Sequence, residues 1–265
     1  MPAAPSRGLF QINPEGVDIV LRFIIGVIFL ILYLLISCPI MLVLSICRKF
    51  SREAAELAML RIVQWALRVV YHLAGVKLTT IGLENIPADK AALFVGNHQS
   101  FFDVIISYSQ MKTRTGYISK KSFEKIPFLS WNMKFLRCLF IDRENLRQGV
   151  RTIMKAADYV NEGISIFIFP EGTRNKSGDE TSLGPFHEGS FKIAQRTGCP
   201  IIPVSFNNTE AVFERHLPAL KSQHVVIEYG KPVYFKELPK ETQKHIGEHF
   251  REVITEMVKN NQSLV

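Results

Sequence analysis

Apolar residues fall along this chain in two regimes. From Phe23 to Cys47 there is no charged residue, and about 20 apolar residues are enough for a helix to cross a bilayer. The pattern predicts a first helix over 17–37. Pro39 then bends or interrupts it, because a proline inside a helix lacks the N–H its turn requires. The run is too long for a cleaved signal peptide, and no small-residue cleavage site follows it. A buried core helix of this length would carry a polar stripe, which is missing. Spanning the bilayer and dipping into one leaflet both fit a bent apolar helix.

Ser51 is placed to cap a second helix, with Glu53 and Glu56 in its first turns. Arg52, Glu53, Glu56, Arg61, Gln64 and Arg68 fall on one half of its wheel. Met59, Ile62, Trp65, Ala66, Val69 and Leu73 fall on the other. Such a helix suits either a membrane surface or the core, and Trp65 with flanking arginines tips the reading to the interface. Residues 1–15 are polar and read as a loose terminus.

From Gly75 onward the period changes. Residues 77–81, 91–95, 164–169, 201–206 and 224–229 read as strands, several of them continuously apolar and so buried on both faces. Residues 103–110, 146–161, 189–196 and 241–260 read as helices. Strands alternating with helices predict an α/β fold with a largely buried sheet flanked by helices. The expected organisation is an anchoring helical segment over 1–75 and an α/β domain over 76–265.

The net charge of +8 over 265 residues calls for an anionic partner. No zinc finger, arginine-rich helix or aromatic–basic RNA motif is present, so nucleic acid is set aside. Arg48, Lys49 and Arg52 follow the apolar run and outweigh Arg7 and Arg22 before it, which places the bulk of the chain on the cytoplasmic side of a membrane. The four cysteines have no paired spacing, and the sequence suggests a reducing compartment without disulfides.

The chemistry is concentrated in short blocks. In Asn97-His-Gln-Ser-Phe-Phe-Asp103, His98 and Asp103 would lie roughly 140° apart on one regular helix and could not meet. They can meet if a strand ends near Gly96, the chain turns through His98, and a helix starts near Ser100. Asp103 then accepts the ring N–H and His98 acts as a general base on a substrate hydroxyl. Ser100 through Asp103 also matches a capping box, which would make Asp103 structural; the two roles are compatible. Phe169-Pro-Glu-Gly-Thr-Arg174 follows an apolar strand, where open α/β sheets place ligands. Gly172 permits a tight turn, Arg174 can bind phosphate in a bidentate fashion, and Glu171 can hold a hydroxyl or brace the arginine. Arg143, after the apolar segment 139–141, and Lys120 or Lys121 are further phosphate candidates, although a lone surface cation is more often simply solvated.

Together these blocks resemble the glycerolipid acyltransferase family, in its lysophosphatidic acid acyltransferase branch. Asn97–Asp103 looks like the family's His-x4-Asp block. Phe140-Ile-Asp-Arg143, Phe169–Arg174 and Ile202-Pro-Val204 resemble its following blocks, in order. The segment from Lys120 to Pro127 resembles the one carrying a phosphate-binding lysine, and Pro170 favours the lysophosphatidate branch. The resemblance implies a mixed sheet, His98 as base and Asp103 as its partner. It also implies substrate contacts from Lys120, Arg143, Glu171, Gly172, Thr173 and Arg174. The implied reaction moves a fatty acyl group from acyl-CoA or acyl-carrier protein to the sn-2 hydroxyl of lysophosphatidic acid, forming phosphatidic acid, with membrane lipid as surroundings. It needs neither metal nor cofactor, because the thioester is already activated.

Three rivals remain at this level. The same machinery could acylate another lysophospholipid or glycerol-3-phosphate. The chain could be a non-catalytic membrane lipid-binding protein, although that role needs no base. His245-Ile-Gly-Glu-His249 fits a zinc-protease pattern, but Gly247 weakens the helix that the pattern requires.

Overall fold

The computed structural model describes residues 14–265, with side chains from Val20 onward. The loose terminus expected over 1–15 lies outside these residues except for Pro14 and Glu15, which begin a helix.

Two long helices come first, α1 (Pro14–Cys47) and α2 (Arg52–Leu73). The remaining elements follow in the order β1 (Lys77–Ile81), β2 (Leu93–Gly96), α3 (Phe101–Gln110), β3 (Thr115–Lys120), α4 (Leu129–Phe135), β4 (Leu139–Ile141), α5 (Leu146–Asn161) and β5 (Ser165–Ile168). The chain ends with α6 (Lys192–Thr197), β6 (Ile201–Asn207), β7 (His224–Tyr229), α7 (Lys240–Lys244) and α8 (Ile246–Asn261).

The strands form one sheet in the order β1-β7-β6-β2-β5-β3-β4. β6, β2, β5, β3 and β4 run parallel, while β7 is antiparallel to β6 and carries β1 beside it. The sheet is therefore mixed. Every residue of β2, β5 and β6 is buried, which is why these strands are apolar on both faces. Phe94, Phe167, Phe206 and Ile202 fill one face together with Met59 and Leu60 of α2 and Phe102 and Ile106 of α3. Leu93, Val95, Ile166, Ile168 and Ile201 fill the other against residues of α5, α6 and α8.

Two expectations about the helices change. α1 runs unbroken through Pro39. In the turn before that proline, the Ser37 hydroxyl and the Cys38 thiol both donate to the Leu34 carbonyl, while the carbonyl that loses its backbone donor to Pro39 is that of Leu35. α2 does not bury the face expected of it. Glu56 and Gln64 are buried with Met59, Leu60, Val63 and Ala66, whereas Trp65 is exposed. Gln64 Nε2 donates to the carbonyls of Tyr108 and Met111, and arginines from elsewhere surround Glu56. The helix packs on the core with its polar residues satisfied there, and Trp65 meets Phe29 of α1 on the far side. Strand β3 and helix α4 were not expected at all.

Because β6, β2, β5, β3 and β4 are parallel, all of their C-terminal ends lie on one edge of the sheet. The candidate residues collect along that edge.

Candidate active site

β2 delivers the first block. Gly96 is its last residue, and a Cβ there would come within 3.0 Å of the Phe206 ring and 3.3 Å of the Phe167 ring, so any side chain here would have to push those rings aside. The Asn97 side chain then extends the ladder, donating to the Phe206 carbonyl at 3.1 Å and accepting from its N–H at 2.9 Å. His98 follows on the turn, and α3 starts after Ser100.

His98 Nδ1 lies 2.8 Å from Asp103 Oδ2. Asp103 is fully buried. Its Oδ2 also accepts the backbone N–H groups of Gln99 (2.7 Å) and Ser100 (2.8 Å), and its Oδ1 accepts the Thr209 hydroxyl at 2.6 Å. Phe102 N–H donates back to Ser100 Oγ, completing a capping box. The cap and the pairing with the imidazole are therefore one construction. A carboxylate only accepts, so Nδ1 carries the proton and Nε2 is left as the acceptor. The imidazole stacks on the Phe169 ring, with centroids 4.1 Å apart, which fixes its plane and covers one face.

β5, the neighbour of β2, delivers the second block. The Glu171 carboxylate accepts His98 N–H at 2.8 Å through Oε1 and Gly184 N–H at 2.9 Å through Oε2. It braces the turn that carries the base, not the arginine. Burial holds its carboxyl above the ordinary range, partly offset by those two N–H groups. Gly172 adopts φ +69°, a left-handed conformation that strains other residues, and His187 lies close to where its Cβ would be. Thr173 is exposed at the tip.

Arg174 Nη1 reaches Glu214 Oε1 at 3.0 Å, and its guanidinium lies 4.3 Å over the Phe101 ring. Glu214 also accepts the Ser100 hydroxyl (2.6 Å) and Phe101 N–H (2.8 Å). One carboxylate thus ties the arginine to the start of α3.

Lys120 and Arg143 stand further along the same edge. Strands are spaced about 4.8 Å apart, so the end of β3 lies on the order of 10 Å from that of β2, and the end of β4 one spacing beyond. Both residues are exposed. Lys121 is paired with Asp142 at 3.0 Å, whereas Lys120 makes no ion pair among the described residues. His98, Asp103, Glu171 and Arg174 are thus drawn into one connected group, while Lys120 and Arg143 are aligned with it but not in contact.

Sequence reasoning missed Thr209 and Glu214. Both follow β6 in a stretch with no motif; Thr209 meets Asp103 106 residues away, and Glu214 meets Ser100 114 and Arg174 40 residues away, so no local signal marks them. The zinc-type pattern does not form: His245 sits at the break between α7 and α8, not on one helix with His249.

The family model described as Acyltransferase matches residues 77–207, which contain all of the candidate blocks. This chain belongs to the acyltransferase family. It is 30% identical over 194 residues to the 1-acyl-sn-glycerol-3-phosphate acyltransferase of Borreliella burgdorferi, covering 73% of each chain. The protein of that name from Saccharomyces cerevisiae is 30% identical over 237 residues, or 86% of this chain and 77% of its own. The one from Haemophilus influenzae is 34% identical over 184 residues, or 68% and 73%. Among solved structures, that of the 1-acyl-sn-glycerophosphate (LPA) acyltransferase PlsC from Thermotoga maritima superposes with a TM-score of 0.76, covering 92% of this chain and 97% of its own. At 23% identity it speaks to the fold alone.

Proposed function

We propose that this protein transfers a fatty acyl group from acyl-CoA or acyl-carrier protein to the sn-2 hydroxyl of lysophosphatidic acid. The observation that carries the reading is the contact of His98 Nδ1 with a fully buried Asp103 whose oxygens are saturated by donors. Such a carboxylate is held rigidly, fixes the tautomer and stabilises the imidazolium that forms during proton transfer.

In the reaction, His98 Nε2 takes the proton of the acceptor hydroxyl as its oxygen bonds to the thioester carbonyl carbon. The tetrahedral intermediate collapses with cleavage of the C–S bond. The imidazolium returns the proton to the departing thiolate, leaving phosphatidic acid and the free thiol. Arg174 and Lys120 bind the acceptor phosphate, with Arg143 at the outer end of the same edge. Gly172 and Thr173 line the approach, and Glu171 holds the turn under His98. The names of the related proteins support the lysophosphatidate acceptor.

Residues 1–75 serve as the anchor, with the α/β part on the cytoplasmic side. Val20–Cys47 is long and apolar enough to cross a membrane, and only 11% of its most apolar window is buried. Yet α1 is fastened to the body at separated points. Phe23 stacks on Phe213 at 5.6 Å and Arg22 donates to Ser222, while Ser37 accepts from Asn132. Residues 23 and 37 are about 21 Å apart along a helix axis. A helix docked along its side favours lying in one leaflet beside the body.

The test is acyl transfer by the purified full chain in detergent, with oleoyl-CoA and lysophosphatidic acid, alongside His98→Ala. The wild type should form phosphatidic acid, and the variant should lose at least about 10²-fold in kcat. A variant of near-normal activity would remove His98 as the base. Product formed only with another lysophospholipid would move the headgroup assignment and keep the chemistry.

A further inference from the structure

The segment that follows Arg174 is fastened close to the dyad at two places, and the reaction proposed above uses neither. At its start, Asn175 N–H donates to the His98 carbonyl at 2.7 Å. Further along, the Glu180 carboxylate reaches the end of β6. Its Oε1 accepts Asn208 N–H at 2.6 Å, and its Oε2 faces Asn207 Nδ2 at 3.4 Å. The next residue is Thr209, whose hydroxyl donates to Asp103 Oδ1. Asn175 Nδ2 donates to the carbonyls of Asp179 and Ser182, which ties the stretch around Glu180 back to the residue bonded to His98.

The turn that carries Thr209 needs this support. Asn208 adopts φ +62°, a left-handed conformation that is unfavourable for residues with a Cβ and least so for asparagine. It is pinned through its N–H by Glu180 and through its own amide, which donates to the His224 carbonyl at 2.9 Å and to Gln223 Oε1 at 3.3 Å. Asn207 is fully buried and donates to the Val258 carbonyl at 2.9 Å. Thr209 is fully buried as well. If the turn relaxed, its hydroxyl would leave Asp103 Oδ1 buried without a donor, which is unfavourable.

The bond from Asn208 N–H is short, as bonds to an ionised carboxylate are. Burial pushes the Glu180 carboxyl above the ordinary range. The N–H of Asn208, the charge of Arg215 and the Asn207 amide pull it down, while the charge of Asp103 adds to the rise.

We propose that Glu180 is a positioning residue for the base: its carboxylate holds the Asn207–Asn208 turn so that the Thr209 hydroxyl meets Asp103. The inference rests on the acyltransferase reading above and deepens it. Contacts run from Glu180 to Asn208, from the adjoining Thr209 to Asp103, and from Asp103 to His98. Glu180 touches no substrate in this scheme. It acts through the orientation of the Asp103 carboxylate, whose other oxygen faces the imidazole.

The experiment is steady-state acyl transfer from oleoyl-CoA to lysophosphatidic acid by the full chain in detergent. It compares the wild type with Glu180→Ala, Thr209→Val and the double variant. Glu180→Ala should lower kcat on the order of fivefold, the effect of one lost hydrogen bond on the transition state. Both KM values should stay within about twofold. Thr209→Val should do the same, and the double variant should be no slower than the slower single one, because both changes remove the same contact on Asp103. Glu180→Gln keeps a carbonyl for Asn208 N–H and should run faster than Glu180→Ala.

An unchanged kcat in Glu180→Ala overturns the proposal. So does a loss that multiplies with that of Thr209→Val, which would give Glu180 a separate route of action. An acceptor KM that rises while kcat holds overturns it too, by placing Glu180 on the substrate's approach. Glu180→Gln no faster than Glu180→Ala overturns the hydrogen-bonded clasp. If Glu180→Ala melts early, Glu180→Asp takes its place: it keeps the charge but falls a methylene short of Asn208, and full activity there is equally fatal. A wild type that acylates no lysophospholipid sinks the reading on which the proposal rests, whereas an active wild type with an equally active Glu180→Ala sinks the proposal alone.

Discussion

The two halves of the C-terminal sheet edge are built differently. Around His98 the carboxylates are fully engaged: Asp103 takes four donors, Glu171 two, and Glu214 three, although the neighbouring Gln99 side-chain amide is buried without a partner. Around Lys120 and Arg143 the side chains are exposed, and Lys121 alone is tied down, by Asp142. The difference teaches that the His98 end is held rigidly, as the proposed proton transfer requires, because small displacements there are expensive. The cationic end is left adjustable, which would suit a mobile charged headgroup. Arg174 belongs to both, since it is a cation held by Glu214 and placed next to the first turn of α3.

The largest break in this comparison should come from Asp103→Asn. It keeps the shape but presents neutral amide atoms where the His98 ring, two backbone N–H groups and Thr209 donate. We expect kcat to fall by about 10²- to 10⁴-fold, with a stability loss of about 1–3 kcal/mol from weakened buried bonds. Loss of Tm with kcat intact would reduce Asp103 to a helix cap.

A smaller effect is expected at the adjustable end. Arg174→Ala should raise KM for the phosphorylated acceptor by about 10-fold or more, from the loss of a charge-assisted contact of about 1.5–3 kcal/mol. Lys120→Ala should raise it less, because a single exposed cation contributes less. Both should leave KM for the acyl donor unchanged. An acceptor KM that moves in neither variant places the phosphate elsewhere.

The smallest effect concerns Glu171. Burial raises its carboxyl above 4.5, so the folded state holds that proton more tightly than the unfolded chain does. Its contribution favours folding below pH 4.5 and is lost as pH rises through the raised value. Glu171→Gln removes the titration. Melting curves from pH 4.5 to neutral should show the wild type losing ground relative to the variant, and parallel profiles would contradict the assignment.

Much of the reactive end was legible because it is local. His98 and Asp103 are five residues apart across a strand–turn–helix junction, and the buried strands on either side announce themselves by unbroken apolar runs. Strand β3 was not legible. Its Thr115 and Gly116 pair with Ser165 and Ile166 of β5, and Gly116 packs directly against the Arg137 backbone, contacts that no periodicity records. The face of α2 was misjudged for a similar reason. Glu56 looks like a solvent residue until Arg114 and Arg137 arrive from far along the chain. Of the two roles the sequence offers Glu171, holding a hydroxyl or bracing Arg174, the second does not form: the chain folds back so that Glu171 holds His98 N–H, while Glu214 takes the arginine.

The Phe23–Phe213 stack has a kinetic meaning. Phe213 adjoins Glu214, so the apolar helix and the arginine held by Glu214 are one residue apart. On the proposed reading, an acceptor would not have to be extracted into water to be acylated: its tail would stay in the leaflet while the glycerol reached His98. Encounter would then be a search in two dimensions, and the rate would follow the surface fraction of acceptor, not its concentration in the bulk.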